Sequence, residues 1–337
     1  MTRAFWFVLT ASLLLSGARG QLPEQQSLPG NPEIANLGKI TRGDHSTIFF
    51  DAYTSSRVHG YIRDGEAPMI FLKDGPGSDR CSQGASAVSH DGYRIAYSTA
   101  AGDSGGCQIV LHDLRSGNER SLAVIQNRPW SLSWSWDDTE IAYGQFSIDV
   151  MQGQAQNIFA VSVANGTKRD LGSLQIGKWP GEMGELLRIQ WLHHRPELVL
   201  NTSICVPVQK IDGCTTRWQT LLFSQGHSRL LATGVFAAVS PTDDDIAYID
   251  EDKVWLIGAD GANRRVITTM PAALRFLPFL RESPWRQIVW SPGGDRLWIC
   301  TIIDEGGNTN SYLVDVRSGH CKKVLKRTLT GVTDWRR

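Results

Sequence analysis

Several groups of residues in this 337-residue chain have the types and spacing of reacting groups. Gly102-Asp103-Ser104-Gly105-Gly106 spells the surroundings of a serine-protease nucleophile, which would make the chemistry acyl transfer. His193-His194 is a candidate metal pair. The acidic runs at 137–140, 242–246 and 249–252 offer oxygens suited to a hard cation. Each group lacks a second requirement. The serine needs a histidine base and a buried aspartate, and only His45, His59 and His90 precede it, none in a suitable context. Adjacent residues in a strand or turn point apart, and no third ligand accompanies the histidine pair. The acidic runs do not follow the Asp-x-Asp-x-Asp-Gly spacing of a calcium loop. No catalytic residue, metal or cofactor is therefore expected, and the protease letters read as a hairpin loop.

The six cysteines fall into three locally spaced pairs, Cys81 with Cys107, Cys205 with Cys214, and Cys300 with Cys321. Disulfides in an oxidising compartment are the expected use, with Cys205–Cys214 the most secure because the segment between them reads as one hairpin loop. Six cysteines allow fifteen connectivities, so local pairing is a preference.

The elements that carry these residues follow from a repeat. AVSHDGYRIAYSTA (87–100), SWSWDDTEIAYGQF (133–146), AVSPTDDDIAYIDE (238–251) and VWSPGGDRLWICTI (289–302) are versions of one unit, and QWLHHRPELVLNTS (190–203) is a weaker fifth. Each is an apolar strand, a polar turn and a second strand. A further strand, Asn-Gly or Ser-Gly turn, and strand follow it. The anchors Val88, Trp134, Trp191, Val239 and Trp290 stand about 45 to 57 residues apart, the period of a propeller blade. Residues 46–75 supply three strands without a leading one, and Trp335 opens a unit that is never completed. Joining the two ends closes an all-β, six-bladed propeller of four-stranded antiparallel blades and removes the exposed sheet edges. The acidic runs then fall in blade turns, where solvated turn chemistry explains them.

The units VSHDGYRIAY, WSWDDTEIAY, VSPTDDDIAY and WSPGGDRLWI resemble the TolB-type propeller repeats of exported bacterial proteins. The resemblance covers the chain from about Ser46 and implies the fold. It does not extend to the α/β domain that precedes the propeller in a full TolB protein, because 21–45 is too short for one. An α/β-hydrolase domain, as joined to the propellers of prolyl-oligopeptidase-type enzymes, has no place either, since the blades use the chain.

Arg3, the apolar run Ala4–Leu15 and the small residues Ala18 and Gly20 read as a signal peptide over 1–20, with cleavage near Gly20. Residues 21–45 read as a linker and 46–337 as one propeller domain. The expected location is the periplasm or outside the cell, without a membrane span. Balanced charge, 34 Lys and Arg against 34 Asp and Glu, removes the electrostatic footprint of a nucleic-acid binder. Asn165-Gly-Thr and Asn201-Thr-Ser are glycosylation sequons.

Trp130, Trp179 and Trp285 each stand beside proline, in connections that lead into innermost strands. These connections share one end of the ring with the second-to-third-strand loops that hold Asp103, Asp149 and Asp304. An aromatic rim with carboxylates suits a sugar ring or a peptide. The innermost strands are small or apolar apart from Arg188 and glutamines, which favours binding over chemistry. The chain therefore reads as an exported, non-catalytic, monomeric binding or scaffolding module for a protein or glycan at the axial face. The alternative is a propeller enzyme resembling a polysaccharide lyase.

Overall fold

Consecutive buried residues, as in Ile95–Ser98 and Ile246–Ile249, make the middle strands apolar on both faces, and such strands must bury both against neighbours. The computed structural model describes residues 32–43, 45–53, 57–73, 81, 86–101, 106–129, 131–149, 153–176, 183–207, 214–270, 287–302, 309–328 and 330–337. A helix, α1 (Pro32–Thr41), comes first. Blade 1 then contributes β1 (Thr47–Tyr53), β2 (Arg57–Arg63) and β3 (Met69–Lys73). Blade 2 is β4 (Ser86–Val88), β5 (Arg94–Ala100), β6 (Cys107–Asp113) and β7 (Glu119–Ile125). Blade 3 is β8 (Leu132–Trp134), β9 (Glu140–Asp149), β10 (Gly153–Ser162) and β11 (Lys168–Ile176). Blade 4 is β12 (Met183–Trp191), β13 (Leu198–Pro207), β14 (Cys214–Ser224) and β15 (His227–Thr233). Blade 5 is β16 (Val235–Val239), β17 (Asp245–Asp250), β18 (Lys253–Gly258) and β19 (Arg265–Thr269). Blade 6 is β20 (Gln287–Trp290), β21 (Arg296–Ile302), β22 (Thr309–Asp315) and β23 (Cys321–Thr328). The last strand, β24 (Thr330–Arg336), pairs antiparallel with β1, so blade 1 has the order β24-β1-β2-β3. Six four-stranded sheets result, closed through the two chain ends as the repeat predicts.

The hydrophobic core is not central. It is divided into clusters that each fill one seam between adjacent blades. Ile141, Tyr143 and Val161 of blade 3 pack on Ile109, Leu111 and Ile125 of blade 2. Tyr248 and Ile257 of blade 5 pack on Val199 and Leu222 of blade 4. Among the described residues the seam between blades 1 and 2 has the smallest fully buried set, Phe49, Val88 and Ile95. The segment expected as a linker contains α1, whose Leu37 is buried with Ile48, Phe50, Trp298 and Trp335 over the seam between blades 6 and 1.

The acidic run at 137–140 lies in a first-to-second-strand turn, 242–246 reaches the equivalent turn of blade 5, and 249–252 lies at its second-to-third-strand turn. Ser89, Ser135 and Ser291 are buried at the end of an innermost strand. Their hydroxyls donate to Asp91, Asp137 and Asp295 and accept the backbone N–H of Arg94, Glu140 and Arg296. These carboxylates shape turns. The protease letters belong to the β5–β6 hairpin, which Ala101 N–H closes by donating to the Gly106 carbonyl at 2.9 Å; residues 102–105 lie outside the described residues.

Cys81 and Cys107 form a disulfide with a Cα–Cα distance of 5.6 Å, as expected. The expected link between Cys300 and Cys321 is not made, and both are free thiols. Cys300 lies on β21 and Cys321 on β23, with β22 hydrogen-bonded between them. Two strand spacings amount to about 9–10 Å, beyond the roughly 7 Å that a disulfide spans. The side chains of Cys205 and Cys214 lie outside the described residues, although their backbones pair with Thr216 and Pro207 across the β13–β14 ladder. Asn201 is buried and its amide donates to Thr220 Oγ1, so that sequon is closed to glycosylation in the folded chain.

Candidate functional site: the axial cavity

The innermost strands surround the ring axis, and most of their polar groups are spent on neighbouring blades. Trp134 Nε1 donates to the Ala87 carbonyl at 2.9 Å, and Trp290 Nε1 makes the equivalent bond to Ala238 at 2.8 Å. Ser131 and Ser133 hydroxyls accept the N–H of Ile189 and Trp191, Gln190 accepts from Val239 N–H, and Gln287 donates to the Thr333 carbonyl. Two of the repeat anchors, Trp134 and Trp290, thus fill a seam with an indole that also reaches a carbonyl of the preceding blade.

A cavity of about 70 Å³ remains on the axis. Arg188, Gln190, Ile288 and Asp334 line it, with Trp134, Trp191, Trp290 and Trp335 around them. Its mouth carries His90, His193, Ser240 and Pro241, which belong to first-to-second-strand turns. It therefore opens at the end of the ring opposite the second-to-third-strand loops.

Arg188 is the unusual member. The β12–β13 register shifts between Leu186 and Arg188, an irregularity of the kind that re-aims a side chain. Its Nη1 donates to the Ile288 carbonyl at 3.0 Å, two blades away. Burial pushes its pKa down to about 10, the Asp334 charge opposes that, and the Arg336 charge adds to it. Asp334 itself is held by Arg336, Nε to Oδ1 at 2.9 Å and Nη2 to Oδ2 at 3.1 Å.

At the mouth, His90 and His193 stack at 6.3 Å with planes 6° apart, and His193 stacks on His194 at 4.1 Å. His90 Nδ1 lies 2.8 Å from Asp138 Oδ1, and Arg94 also reaches Asp138. Burial pushes the Asp138 carboxyl up, but the His90 hydrogen bonds and the His90 and Arg94 charges outweigh it and hold the group below the usual carboxylate range. His193 Nδ1 is buried without a hydrogen-bond partner. Among the described residues no three His, Cys, Asp or Glu are grouped to hold a metal ion. The half-exposed Trp136 lies in the β8–β9 turn, on this same end.

The rim residues singled out in the sequence are not tested by this geometry. Trp130, Trp179, Trp285, Asp103 and Asp304 lie outside the described residues. Asp149 is the last residue of β9, and its side chain is likewise outside them. Sequence reasoning missed the cavity at the other end. Its one signal was Arg188, the charged residue of the innermost segment RIQWL.

No protein-family model and no curated protein matches this sequence. Solved structures do match in shape. TolB from Acinetobacter baumannii superposes with a TM-score of 0.58 at 13% identity, over 86% of this chain and 66% of that one. The fold is that of a TolB-like propeller. A chain of a nidogen/laminin complex matches with a TM-score of 0.53 at 11% identity, over 86% of this chain and 97% of that one. An oligogalacturonate lyase from Vibrio parahaemolyticus matches at 0.52 and 11% identity, over 85% and 76%. The chain spans slightly under two thirds of that TolB chain. At these identities the likeness is one of fold. No helix among the described residues is long and apolar enough to cross a membrane.

Proposed function

We propose that this TolB-like propeller is an exported, non-catalytic and monomeric binding module, which presents a rim of loops to a protein or glycan partner. One observation carries the reading: most polar side chains of the innermost strands are committed to hydrogen bonds between blades, from Trp134 to Ala87 around to Gln287 and Thr333. Side chains fixed in that way hold a ring together, and proton transfer to a substrate needs groups that are free to reach it. A rigid ring leaves recognition to the loops.

The rim that serves is the one with Trp130, Trp179 and Trp285 beside Asp103, Asp149 and Asp304. Strand register supports the grouping. Gln287 at the start of β20 pairs with Cys300 near the end of β21, and Ile302 pairs with Thr309 at the start of β22. The entry into an innermost strand and the second-to-third-strand loop therefore leave a blade at one end. Aromatic faces among carboxylates would stack on a neutral or cationic ligand. Export is supported by the Cys81–Cys107 disulfide and by the signal-like residues 1–20.

The name of the oligogalacturonate lyase neighbour raises the enzyme alternative, and a paired assay separates the two. The chain is applied to a glycan array and incubated with the same polysaccharides while unsaturated elimination products are followed by absorbance. Retention without product supports the binding module. Product above the buffer control refutes the non-catalytic reading.

A further inference from the structure

We propose that the axial cavity is a binding site for a single carboxylate, gripped by the Arg188 guanidinium. This site lies at the other end of the ring from the proposed rim, and neither rests on the other. Among the described residues Arg188 makes one hydrogen bond, to the Ile288 carbonyl, and no ion pair. Its remaining N–H groups are not among the buried unpaired atoms and so face the cavity that it lines. Asp334, the nearest acid on the axis, has both oxygens engaged by Arg336. An unpaired cation inside a protein is costly, and its fork of donors matches two carboxylate oxygens. It stays charged at neutral pH even after burial has lowered its pKa to about 10.

Charge and size narrow the ligand. Arg188 and Arg336 against Asp334 leave the cavity with one net positive charge, which one carboxylate neutralises and a phosphate dianion overshoots. A volume of about 70 Å³ is near half of the ~150 Å³ that accommodates a six-membered ring, and at ~10–15 Å³ per water it admits a carboxylate with a few waters. A pyranose does not fit. The carboxylate is that of a small acid or of a peptide chain end.

Thermal unfolding of the full chain tests this in acetate, phosphate and chloride at matched ionic strength, and with triglycine or its C-terminal amide. Acetate and triglycine are expected to raise Tm above chloride by roughly 2 °C or more, and the amide to leave it unchanged. Arg188→Met is expected to abolish the rise while melting at or above the wild-type temperature in chloride, because the unpaired cation is gone. Arg188→Lys keeps the charge without the fork and retains less than half of the rise, so it carries the comparison if the Met variant does not fold. A larger rise with triglycine than with equimolar acetate assigns a chain end, and equal rises assign a small acid. No rise in the wild type, a rise that survives in both variants, or a rise with phosphate alone overturns the carboxylate site.

Discussion

His193 shows how a residue can be legible in type and hidden in role. The sequence presents a histidine pair in a turn, which is where the structure has it, but not the stack that His193 makes with His90 across the mouth of the cavity. Burial holds the His193 pKa below the ordinary histidine range; the His194 and His90 charges add to this, and Asp244 and Asp243 oppose it. Arg195 is paired with Asp244 at 2.8 Å and weakens that opposition. The unfolded chain thus takes up the proton more readily than the folded one. Stability is complete above the ordinary value of ~6.5, falls as pH drops through it, and stops falling below the folded value. Urea midpoints at pH 7.5 and 5.0 should therefore differ in the wild type and differ less in His193→Gln; an unchanged difference would contradict the assignment. Arg188 is the complementary case. Its place on an innermost strand was visible in the letters, whereas the register shift beside it and the distant Ile288 partner were not, because both arise from the closed ring.

At the scale of elements, the strand–turn–strand pattern was read correctly because alternation and turn residues are local. What joins one blade to the next was not legible, since it depends on contacts about fifty residues away. The third-to-fourth-strand turns illustrate it. Gly166 and Gly319 adopt positive φ of 73° and 71°. A Cβ on Gly166 would collide with the Leu122 carbonyl, and one on Gly319 with the Ile267 carbonyl, each on the outer strand of the preceding blade. Gly166→Ala and Gly319→Ala should each cost on the order of 1–3 kcal/mol, from strained backbone and lost seam contact. Chemical unfolding measures this, and a loss under ~0.5 kcal/mol would show that the seam yields freely. The Cys81–Cys107 bond closes a loop with a sequence separation of 26 residues, so Cys107→Ser should lower stability by roughly 3 kcal/mol. The Cys300–Cys321 expectation failed for a related reason. Cys300 and Cys321 are near in sequence but stand two strand spacings apart within one blade, whereas Cys81, outside the strands, reaches Cys107 on β6.

At the scale of the whole molecule, ring closure was legible because both ends carried incomplete copies of one repeat. β24 supplies the missing innermost strand, with Val332 and Trp335 buried and Trp335 Nε1 donating to Ser46 Oγ at 2.8 Å. Deleting 330–337 exposes β1 as an edge and empties part of the seam that α1 covers; the loss of Trp335 alone should cost about 3–5 kcal/mol. A truncated chain with an unchanged melting transition would contradict closure through β24. In the proposed reading the two ends of the ring differ, with the loop rim at one and the histidine-lined cavity at the other. The most direct test of a binding rim compares glycan-array or crosslinked-partner binding of Trp179→Ala/Trp285→Ala with that of His193→Ala/His194→Ala, each checked for an intact fold by circular dichroism. The rim account predicts that the tryptophan variant loses binding at least tenfold and the histidine variant retains it; binding lost only in the histidine variant would put the working face at the other end.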